Sequence, residues 1–331
     1  MELKYVYVLT SSEKDYYYEQ CLVSVMSLRK YNDNCEIIII TDDITAKQLR
    51  GFRGKIKHYA EVKEVVCEKK YNQKIRSRIL KSSMRKIVDG DFLFLDLDTV
   101  IVGSLQEIEH GVDNIGMVLD KHEKVTKRYM YKNMYMNAER MGYRTAYEDK
   151  HFNSGVILVR DTQVSHDFFD LWNRLYFECL EKGIDIDQTS LNEANCRMCG
   201  VIEEMNGIWN VQVNSGLKYI SEAKIFHYLG YQPLNKQNKY FNSLPFLLCD
   251  EKLFHQMRMD QFISNDILEI IENPKRSFKS VTIIPEDCVA HKILYSNHFR
   301  ILKFIYVKFN KLFFLMEKIY GSLFSKLFGR M

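Results

Sequence analysis

Two aspartates one residue apart, Asp96 and Asp98, are the side chains of this sequence whose type and spacing most directly suggest chemistry. The apolar run 92–95 ends at the first of them, and apolar residues resume after the second. Because alternate residues of a strand share a face, we expect both carboxylates side by side at a strand end. Two like charges this close are costly unless a cation lies between them. Oxygen ligands suit magnesium or manganese together with substrate phosphates, so the pair predicts a metal–diphosphate site.

Strand and helix patterns alternate along the chain and predict the framework that holds this site. The predicted strands are 6–9, 37–40, 92–96, 116–119 and 155–159, and the predicted helices include 72–88 and 165–182. Short, continuous apolar runs are typical of parallel strands that are buried on both faces. The first two strands and the helix between them form a right-handed βαβ unit. This layout predicts an α/β fold with its site at the carboxyl ends of the strands.

Size and composition are those of an ordinary globular protein, except at the carboxyl end. The 331 residues are 46% hydrophobic and 27% charged, and the four prolines argue against long disordered linkers. The net charge is +4, but residues 291–331 hold eight basic residues and one acidic residue, so this segment is +7 and the remainder −3. The slightly acidic body argues against a nucleic-acid partner. The first residues lead straight into a strand pattern, which predicts a cytoplasmic protein without a signal peptide.

Four further motifs surround the aspartate pair. They are Tyr16-Tyr17-Tyr18 after the first strand, Phe152-Asn153-Ser154-Gly155 at the start of a strand, Asp187-Gln188 at the start of a helix, and the strand 224–230, which ends in His and Gly. In this order and spacing, from about residue 3 to residue 235, the chain resembles glycosyltransferase family 8, which includes glycogenin and bacterial lipooligosaccharide galactosyltransferases. The resemblance implies the GT-A fold, a nucleotide-sugar-binding mixed sheet with helices on both faces. It also implies a reaction that retains the anomeric configuration.

The resemblance further implies which residues bind the metal and the donor. Asp96, Asp98 and His227 would hold Mn²⁺, or Mg²⁺, which neutralises the diphosphate as UDP departs. The catalytic roles would fall to Asn153, Asp187 and Gln188, the last of which lies near the anomeric carbon. The implied nucleotide-sugar contacts are Leu9, Thr10, Ser11, Tyr17 (stacked on uracil), Arg78, Asp96, Leu97, Asp98, Asp120, Asn153, His227, Gly230 and Gln232.

One stretch departs from the family pattern. Family members follow His-x-x-Gly with Lys-Pro-Trp, and that lysine contacts the leaving phosphate. Here the sequence after His227 continues to Tyr231-Gln232-Pro233-Leu234, which is one residue shorter and contains neither lysine nor tryptophan. Either Gln232 or Lys236 would have to replace the missing lysine.

These residues also have purely structural interpretations. Asp-x-Asp motifs form solvated turns, His227 on an apolar strand fits a buried core histidine, and Arg78 fits a partner for a surface acid. Asn153 suits a turn, and Asp187 suits the N-cap of a helix.

Two other functions remain open at this stage. A haloacid-dehalogenase-type phosphatase also has Asp-x-Asp at a strand end, but its threonine lies four residues after the first aspartate, whereas Thr99 follows Asp96 by three. The non-enzymatic alternative is a degenerate protein that keeps the fold and binds a nucleotide or a sugar. The missing Lys-Pro-Trp gives this alternative some weight, although loss of the aspartate pair would be the stronger sign of it.

The basic carboxyl-terminal segment has the pattern of an amphipathic helix. Apolar residues recur at steps of three and four from Leu302 to Leu327 and fall within about 100° of a helical surface, with lysines on the opposite arc. A basic, aromatic helix of this kind predicts binding to a membrane surface rather than passage across it. The alternative is a helix packed on the catalytic domain or in a dimer interface.

The sequence therefore predicts a GT-A catalytic domain over 1–240, a variable helical region over 241–290 on the acceptor side, and a membrane-associating tail over 291–331. The predicted protein is a manganese-dependent, retaining glycosyltransferase on the cytoplasmic face of a membrane. It would transfer glucose or galactose from UDP to a glycan acceptor, such as a lipid-linked precursor of a cell-surface polysaccharide or lipopolysaccharide.

Overall fold

The computed structural model describes residues 3–127, 132–212, 219–228, 251–272 and, within the tail, 301, 304–305, 308–316 and 318–319. The strands are β1 (Lys4–Leu9), β2 (Ile37–Asp42), β3 (Glu61–Val65), β4 (Phe92–Leu95), β5 (Thr99–Ile101), β6 (Ile115–Leu119), β7 (Phe152–Val159), β8 (Ile202–Glu204), β9 (Val211–Gln212) and β10 (Ile225–His227). The helices are α1 (Tyr17–Tyr31), α2 (Asp43–Ala46), α3 (Gln73–Ser82), α4 (Met84–Ile87), α5 (Lys132–Met141), α6 (Gln163–Glu181), α7 (Asp187–Arg197), α8 (Glu251–Asp260) and α9 (Asn265–Glu272). Short 3₁₀ helices cover Gly51–His58, Gln106–Glu109, Asp120–His122, Val125–Lys127, Arg144–Tyr147 and Gly207–Trp209.

The main sheet of the described residues has seven strands in the order β3-β2-β1-β4-β7-β6-β8. Neighbouring strands are parallel except around β7, which runs antiparallel to both β4 and β6. Consequently β7 begins at the edge where β4 and β6 end, and its first residues, Phe152 and Asn153, lie opposite the last residues of β6. The predicted α/β fold with a mixed sheet is confirmed.

A second, three-stranded sheet of order β5-β10-β9 follows directly from β4. The chain leaves β4, turns through residues 96–98 and enters β5, which pairs antiparallel with β10 so that Thr99 lies opposite His227. This pairing brings a strand from residue 225 onward to the end of β4, more than a hundred residues earlier in the chain.

Alternate residues of β1 enter two separate hydrophobic cores. Tyr5, Tyr7 and Leu9 pack on the side that α1 covers, and Leu22 of that helix belongs to the same core. Val6 and Val8 pack on the other side, which α3, α4, α6 and α7 cover. Strands that are buried on both faces need apolar residues at every position, which explains the continuous runs in the sequence.

The helix predicted over 72–88 is present, but it is interrupted. Asn72 caps α3, because its side chain accepts a hydrogen bond from the Ile75 N–H at 2.9 Å. The interruption falls at Ser83, whose hydroxyl donates to the Ile79 carbonyl at 2.8 Å. Such a local side-chain bond competes with the helical ladder and divides the segment into α3 and α4.

The helices α8 and α9 pack against α1 and do not extend the sheet. Phe254, Met257 and Ile267 are buried in the core on the α1 side. The boundaries of the predicted region 241–290 fall on residues outside those described. In the described part of the chain, no helix is both long enough and apolar enough to cross a membrane.

Candidate active site

Asp96 and Asp98 lie at the end of β4, as predicted, but in the turn to β5 and not in extended strand conformation. The Thr99 N–H and hydroxyl both donate to the Asp96 carbonyl, at 3.2 and 2.8 Å, and so close the turn. The Asp96 N–H donates to the Gly155 carbonyl of β7 at 2.8 Å. The two carboxylates are therefore brought together by a turn and not by the alternation of side chains along a strand. Hydrogen bonds to Thr99 and Gly155 fix this turn.

His227 completes a cluster with the two carboxylates. It is the last residue of β10 and only 3% exposed. Its Nε2 lies 3.3 Å from Asp98 Oδ1 and 3.9 Å from Asp96 Oδ2, and one ligand atom from each of the three residues lies within 4.8 Å of the others. Burial alone would lower the pKa of His227, but the negative charges of Asp98 and then Asp96 outweigh it, so the pKa is raised.

The geometry of this cluster fits a divalent cation. Adjacent ligands of an octahedral ion that binds at about 2.1 Å are about 3 Å apart. The 3.3 Å between His227 and Asp98 is close to this value, and the 3.9 Å between His227 and Asp96 is somewhat longer. Two carboxylate oxygens and one imidazole nitrogen suit a divalent cation such as Mn²⁺ or Mg²⁺. Bound here, such an ion would stabilise the negative charge of a leaving diphosphate.

Gly155 provides the space for the His227 ring. A Cβ at residue 155 would lie 2.1 Å from Cε1 of that ring. Residue 155 must therefore be glycine because its neighbour occupies the position of a side chain, and not because of its backbone angles. The glycine in the Asn-Ser-Gly motif thus makes room for one member of the candidate metal cluster, His227.

Lys81 is a residue of this site that the sequence interpretation missed. Its side chain is 2% exposed, and its Nζ lies 3.0 and 3.2 Å from the two carboxylate oxygens of Asp96. The same ammonium donates to the Ser154 hydroxyl at 3.1 Å and lies 4.7 Å from the centre of the Phe94 ring. Because Lys81 follows Arg78 by three residues, the two share a helical face, and that spacing was the available signal.

Arg78 forms an ion pair with Asp187, another predicted site residue, and not with a surface acid. Arg78 Nε lies 3.0 Å from Asp187 Oδ1. Burial would raise the pKa of Asp187, but the positive charges of Arg78 and then Lys81 outweigh it and lower the pKa. The other oxygen, Oδ2, is buried without a hydrogen-bond partner among the described residues. This carboxylate is therefore ionised, and its Oδ2 can accept a hydrogen bond from a ligand.

Asp120 and Asn153 form the adjoining part of the site. Both are 8% exposed, and Asn153 Nδ2 donates to Asp120 Oδ1 at 3.0 Å. The two residues after Asp120, Lys121 and His122, have φ angles of +55° and +57°, which are unfavourable for residues other than glycine. Gln212 supports this turn, because its Oε1 accepts from the Lys121 N–H at 2.6 Å.

Gln188 lies at the start of α7, as predicted, and its amide is tied to β7. Its Nε2 donates to the Phe152 carbonyl at 3.0 Å. Asp187 is the first residue of the same helix, and it does not act as an N-cap. Leu97, between the two aspartates, is partly buried against the core. Gly230 and Gln232, with the rest of the predicted phosphate loop, lie outside the described residues.

Comparison with known protein families decides the class. Residues 23–209 match the galactosyl transferase GMA12/MNN10 family. The chain belongs to this family. It is therefore a glycosyltransferase, as predicted, but the comparison names a different family from family 8, which the sequence resembles. No curated protein matches the sequence.

Solved glycosyltransferases resemble the chain only weakly. Mouse xyloside xylosyltransferase 1 is 13% identical, with 69% of this chain and 97% of that one covered and a TM-score of 0.46. GlyE of Streptococcus pneumoniae is 14% identical over 85% of this chain and 65% of its own, with a TM-score of 0.46. The galactosyltransferase LgtC, solved with donor and acceptor sugar analogues, is 15% identical over 86% of this chain and 98% of its own, with a TM-score of 0.45. These TM-scores are too low for any conclusion to rest on the likenesses.

The loop between β1 and α1 of this glycosyltransferase, residues 10–16 (the donor loop), leads to Tyr17. The backbone groups expected to contact a nucleotide are largely engaged within the protein. Ser11 N–H donates to the Thr45 hydroxyl at 2.9 Å, and the Thr10 carbonyl accepts from Gln73 at 2.9 Å. The carbonyl of Leu9 likewise accepts from a threonine of β2.

Tyr17, in contrast, is accessible to a ligand. Its side chain is 39% exposed, which leaves ring surface for stacking on a base. Burial of the remainder, with Asp15, raises the pKa of the phenol, while Arg78 opposes the rise and Asp98 adds to it. Two of the charges that act on Tyr17, those of Arg78 and Asp98, thus belong to residues of the candidate site described above.

Arg258 of α8 secures the donor loop from the far end of the chain, and nothing in the sequence pointed to it. Its guanidinium binds both carboxylate oxygens of Glu19, which is fully buried, at 2.7 and 2.8 Å. It also donates to the carbonyls of Glu13, at 2.6 Å, and Asp15, and lies 4.4 Å from the centre of the Tyr16 ring. One side chain thus joins α8, α1 and the donor loop.

Proposed function

We propose that this glycosyltransferase moves a hexose from a UDP-sugar to a glycan with retention of configuration and depends on a divalent metal ion, most simply Mn²⁺. The observation that carries the proposal is the convergence of Asp96, Asp98 and His227 from two distant parts of the sequence in a member of a galactosyl transferase family. Of the two predicted donors, UDP-glucose and UDP-galactose, the description of the family favours UDP-galactose.

The charges around the metal cluster support diphosphate binding. Asp96 and Asp98 would otherwise repel a diphosphate, and a bound cation with Lys81 on Asp96 reverses the sign of that surface. Arg78, whose side chain is 32% exposed, presents a second positive charge beside Asp187. Tyr17 would stack on the uracil.

The sugar would lie against the neighbouring polar residues. Asp187 has an ionised carboxylate with a free acceptor atom, which suits a hydrogen bond from a sugar hydroxyl. Asp120 and Asn153 would bind further hydroxyls from the adjoining side. Gln188 is held in place through its amide nitrogen and would stabilise or position the reacting centre. Departure and attack would then take place on one face through an oxocarbenium-like state.

The tail supports a membrane location for the acceptor. On the described part of the tail, several apolar side chains face solvent, among them Phe304 at 57% and Phe309 at 54% exposed. Lys308, Lys311 and Lys318 are exposed as well. Exposed aromatic residues among lysines suit the surface of a membrane that carries anionic lipids. We infer a peripheral enzyme at the cytoplasmic face, with a lipid-linked glycan as acceptor and the region 241–290 beside it.

Titration calorimetry tests the proposal. We would titrate the full chain with UDP-galactose, UDP-glucose and UDP-N-acetylhexosamines, with and without Mn²⁺, and repeat it with Asp98→Asn. Asp33→Asn, an exposed aspartate far along the chain from the cluster, is the matched control. Metal-dependent binding that only Asp98→Asn abolishes, followed by transfer to an acceptor, is the expected result.

Two outcomes would replace the proposal. Tight binding of UDP with neither hydrolysis nor transfer would indicate a degenerate nucleotide-binding protein. Release of phosphate from a phosphomonoester, without binding of any nucleotide sugar, would indicate a phosphatase.

A further inference from the structure

A buried chain of hydrogen bonds runs from the backbone of β7 to the ring of His227. It starts at the Gly155 N–H, which donates to Asn153 Oδ1 at 3.0 Å. A backbone N–H is always a donor, so the atom of Asn153 that faces it must be the oxygen. The amide nitrogen of Asn153 then points to the carboxylate of Asp120, which accepts at 3.0 Å. The orientation of the Asn153 amide is thus fixed on one side by a donor, the Gly155 N–H, and on the other by an acceptor, the Asp120 carboxylate.

The same reasoning fixes the amide of Asn210. Asn153 Oδ1 can only accept, so the atom of Asn210 that lies 2.9 Å away must be the nitrogen Nδ2. The oxygen of Asn210 therefore faces His227 Nδ1 at 3.0 Å, and the ring nitrogen must donate to it. Asn210 is fully buried, and His227 is 3% exposed.

The position of the proton decides whether His227 can bind a cation. With the proton on Nδ1, the lone pair of Nε2 points to Asp96 and Asp98, where it can bind a metal ion. In the neutral ring the carboxylates oppose this arrangement, because a proton on Nε2 would be attracted to Asp98 Oδ1 at 3.3 Å. The Asn210 oxygen counteracts that attraction, since it would be left without a donor if the proton moved.

We propose that Asn210 is a positioning residue for the metal site, which holds His227 in the tautomer whose Nε2 is free for a divalent cation. This inference rests on the proposed metal-dependent function. Asn210 precedes β9, which pairs in parallel with β10, so the sheet itself sets the distance between the two side chains. Removal of such a partner typically weakens metal binding by about 10–100-fold.

Two substitutions separate this role from simple packing. Asn210→Leu keeps the approximate volume and removes both the acceptor for the Nδ1–H and the donor to Asn153, whereas Asn210→Asp removes that donor and keeps the acceptor. Asn206→Asp, at an exposed position four residues earlier, is the control for an added negative charge. We would measure the affinity of each full-length protein for Mn²⁺ alone, from the free Mn²⁺ signal in electron paramagnetic resonance. We expect a loss of about 10–100-fold in Asn210→Leu and no comparable loss in Asn210→Asp or Asn206→Asp.

A second measurement reports the tautomer without any metal. In ¹⁵N-histidine-labelled protein at alkaline pH, where the rings are neutral, His227 is assigned by the signal that His227→Gln removes. The wild type should show a protonated Nδ1 and an unprotonated Nε2, and Asn210→Leu should shift the proton towards Nε2. If the wild type has its proton on Nε2, or if Asn210→Leu binds Mn²⁺ as tightly as the wild type, the inference is overturned.

These results are distinguishable from a failure of the proposed function. Wild-type protein that binds Mn²⁺ with the expected dependence on Asn210, but binds no nucleotide sugar, would overturn the proposed transferase and leave the role of Asn210 in place. Equal loss of Mn²⁺ affinity in Asn210→Leu and Asn210→Asp would show that the acceptor facing His227 is not what matters, and would overturn the inference.

Discussion

Substitution of Gly155 by alanine tests the geometry of the proposed metal site most directly. The added Cβ would lie 2.1 Å from Cε1, 2.5 Å from Nδ1 and 2.9 Å from Nε2 of His227. The ring must retreat by at least 1.3 Å before its nearest atom reaches ordinary contact at 3.4 Å. Metal–ligand distances tolerate deviations of only about 0.2 Å, so a ring displaced this far cannot remain a ligand.

The expected result is a large loss of metal affinity with a moderate loss of stability. Because a ligand itself is displaced, Mn²⁺ binding should weaken by at least the roughly 10–100-fold seen when only a partner of a metal-bound histidine is removed. Overpacking of a buried site typically costs about 1–3 kcal/mol in the free energy of unfolding. Mn²⁺ titration and denaturant unfolding of the same samples measure both quantities.

Gly116→Ala provides the matched control. A Cβ at residue 116 would lie 2.7 Å from Met205 Sδ and 2.9 Å from Val112 Cγ2, which is also too close but involves no metal ligand. This variant should lose stability and keep its affinity for Mn²⁺. In a His227→Ala background the clash at residue 155 disappears, so Gly155→Ala should then cost much less stability. Wild-type Mn²⁺ affinity in Gly155→Ala would refute the reasoning.

Three further predictions concern other parts of the molecule. Arg258→Lys keeps the charge beside buried Glu19 but loses the bidentate contact, so the affinity for UDP should fall with little change in the affinity for Mn²⁺. The control, Met259→Ala at an exposed neighbouring position, should change neither affinity. Calorimetry with UDP measures the effect, and an unchanged affinity of Arg258→Lys for UDP would contradict the prediction. The pKa of His227 is raised above 6.5, so protonation of His227 stabilises the metal-free fold below pH 6.5, and this stabilisation is lost as the pH rises through the raised pKa. The melting temperature measured in EDTA should therefore fall between pH 6.5 and the raised pKa. His227→Gln should remove this fall in melting temperature. Deletion of residues 291–331 should abolish flotation with anionic vesicles and leave transfer to a soluble acceptor intact, whereas an aggregated or inactive product would show that the tail belongs to the core.

The sequence was sufficient for the framework of the fold and for the aspartate pair of the candidate metal cluster, whereas His227 was assigned to this cluster through the family resemblance. Continuous apolar runs marked the buried strands, because strands covered on both faces admit few polar residues. Asp96 and Asp98 stood out because two acids inside an apolar run are costly without a cation. Their placement in a turn was not predicted, since strand and turn differ here only through hydrogen bonds to Thr99 and Gly155.

The residues that support the cluster could not be found from the sequence. Lys81 lies on a predicted helix, but only the packing of that helix brings its ammonium to Asp96. Asn210 and Arg258 act across 17 and 239 residues of sequence, respectively. A lone asparagine or arginine carries no pattern that reveals such a contact. Arg78 was found, but its pairing with Asp187 depends on how α3 and α7 meet, which no local signal records.

The contact between Arg258 and the donor loop also bears on the order in which the enzyme is completed during synthesis. Asp15 precedes Arg258 by 243 residues, which corresponds to roughly 12–50 s of translation at about 5–20 residues per second. During that interval the sheet can form, but the loop that leads to Tyr17 is without its guanidinium contact. The loop that leads to the proposed uracil-binding Tyr17 is therefore made among the earliest residues, and the side chain that holds this loop in place is made among the later ones.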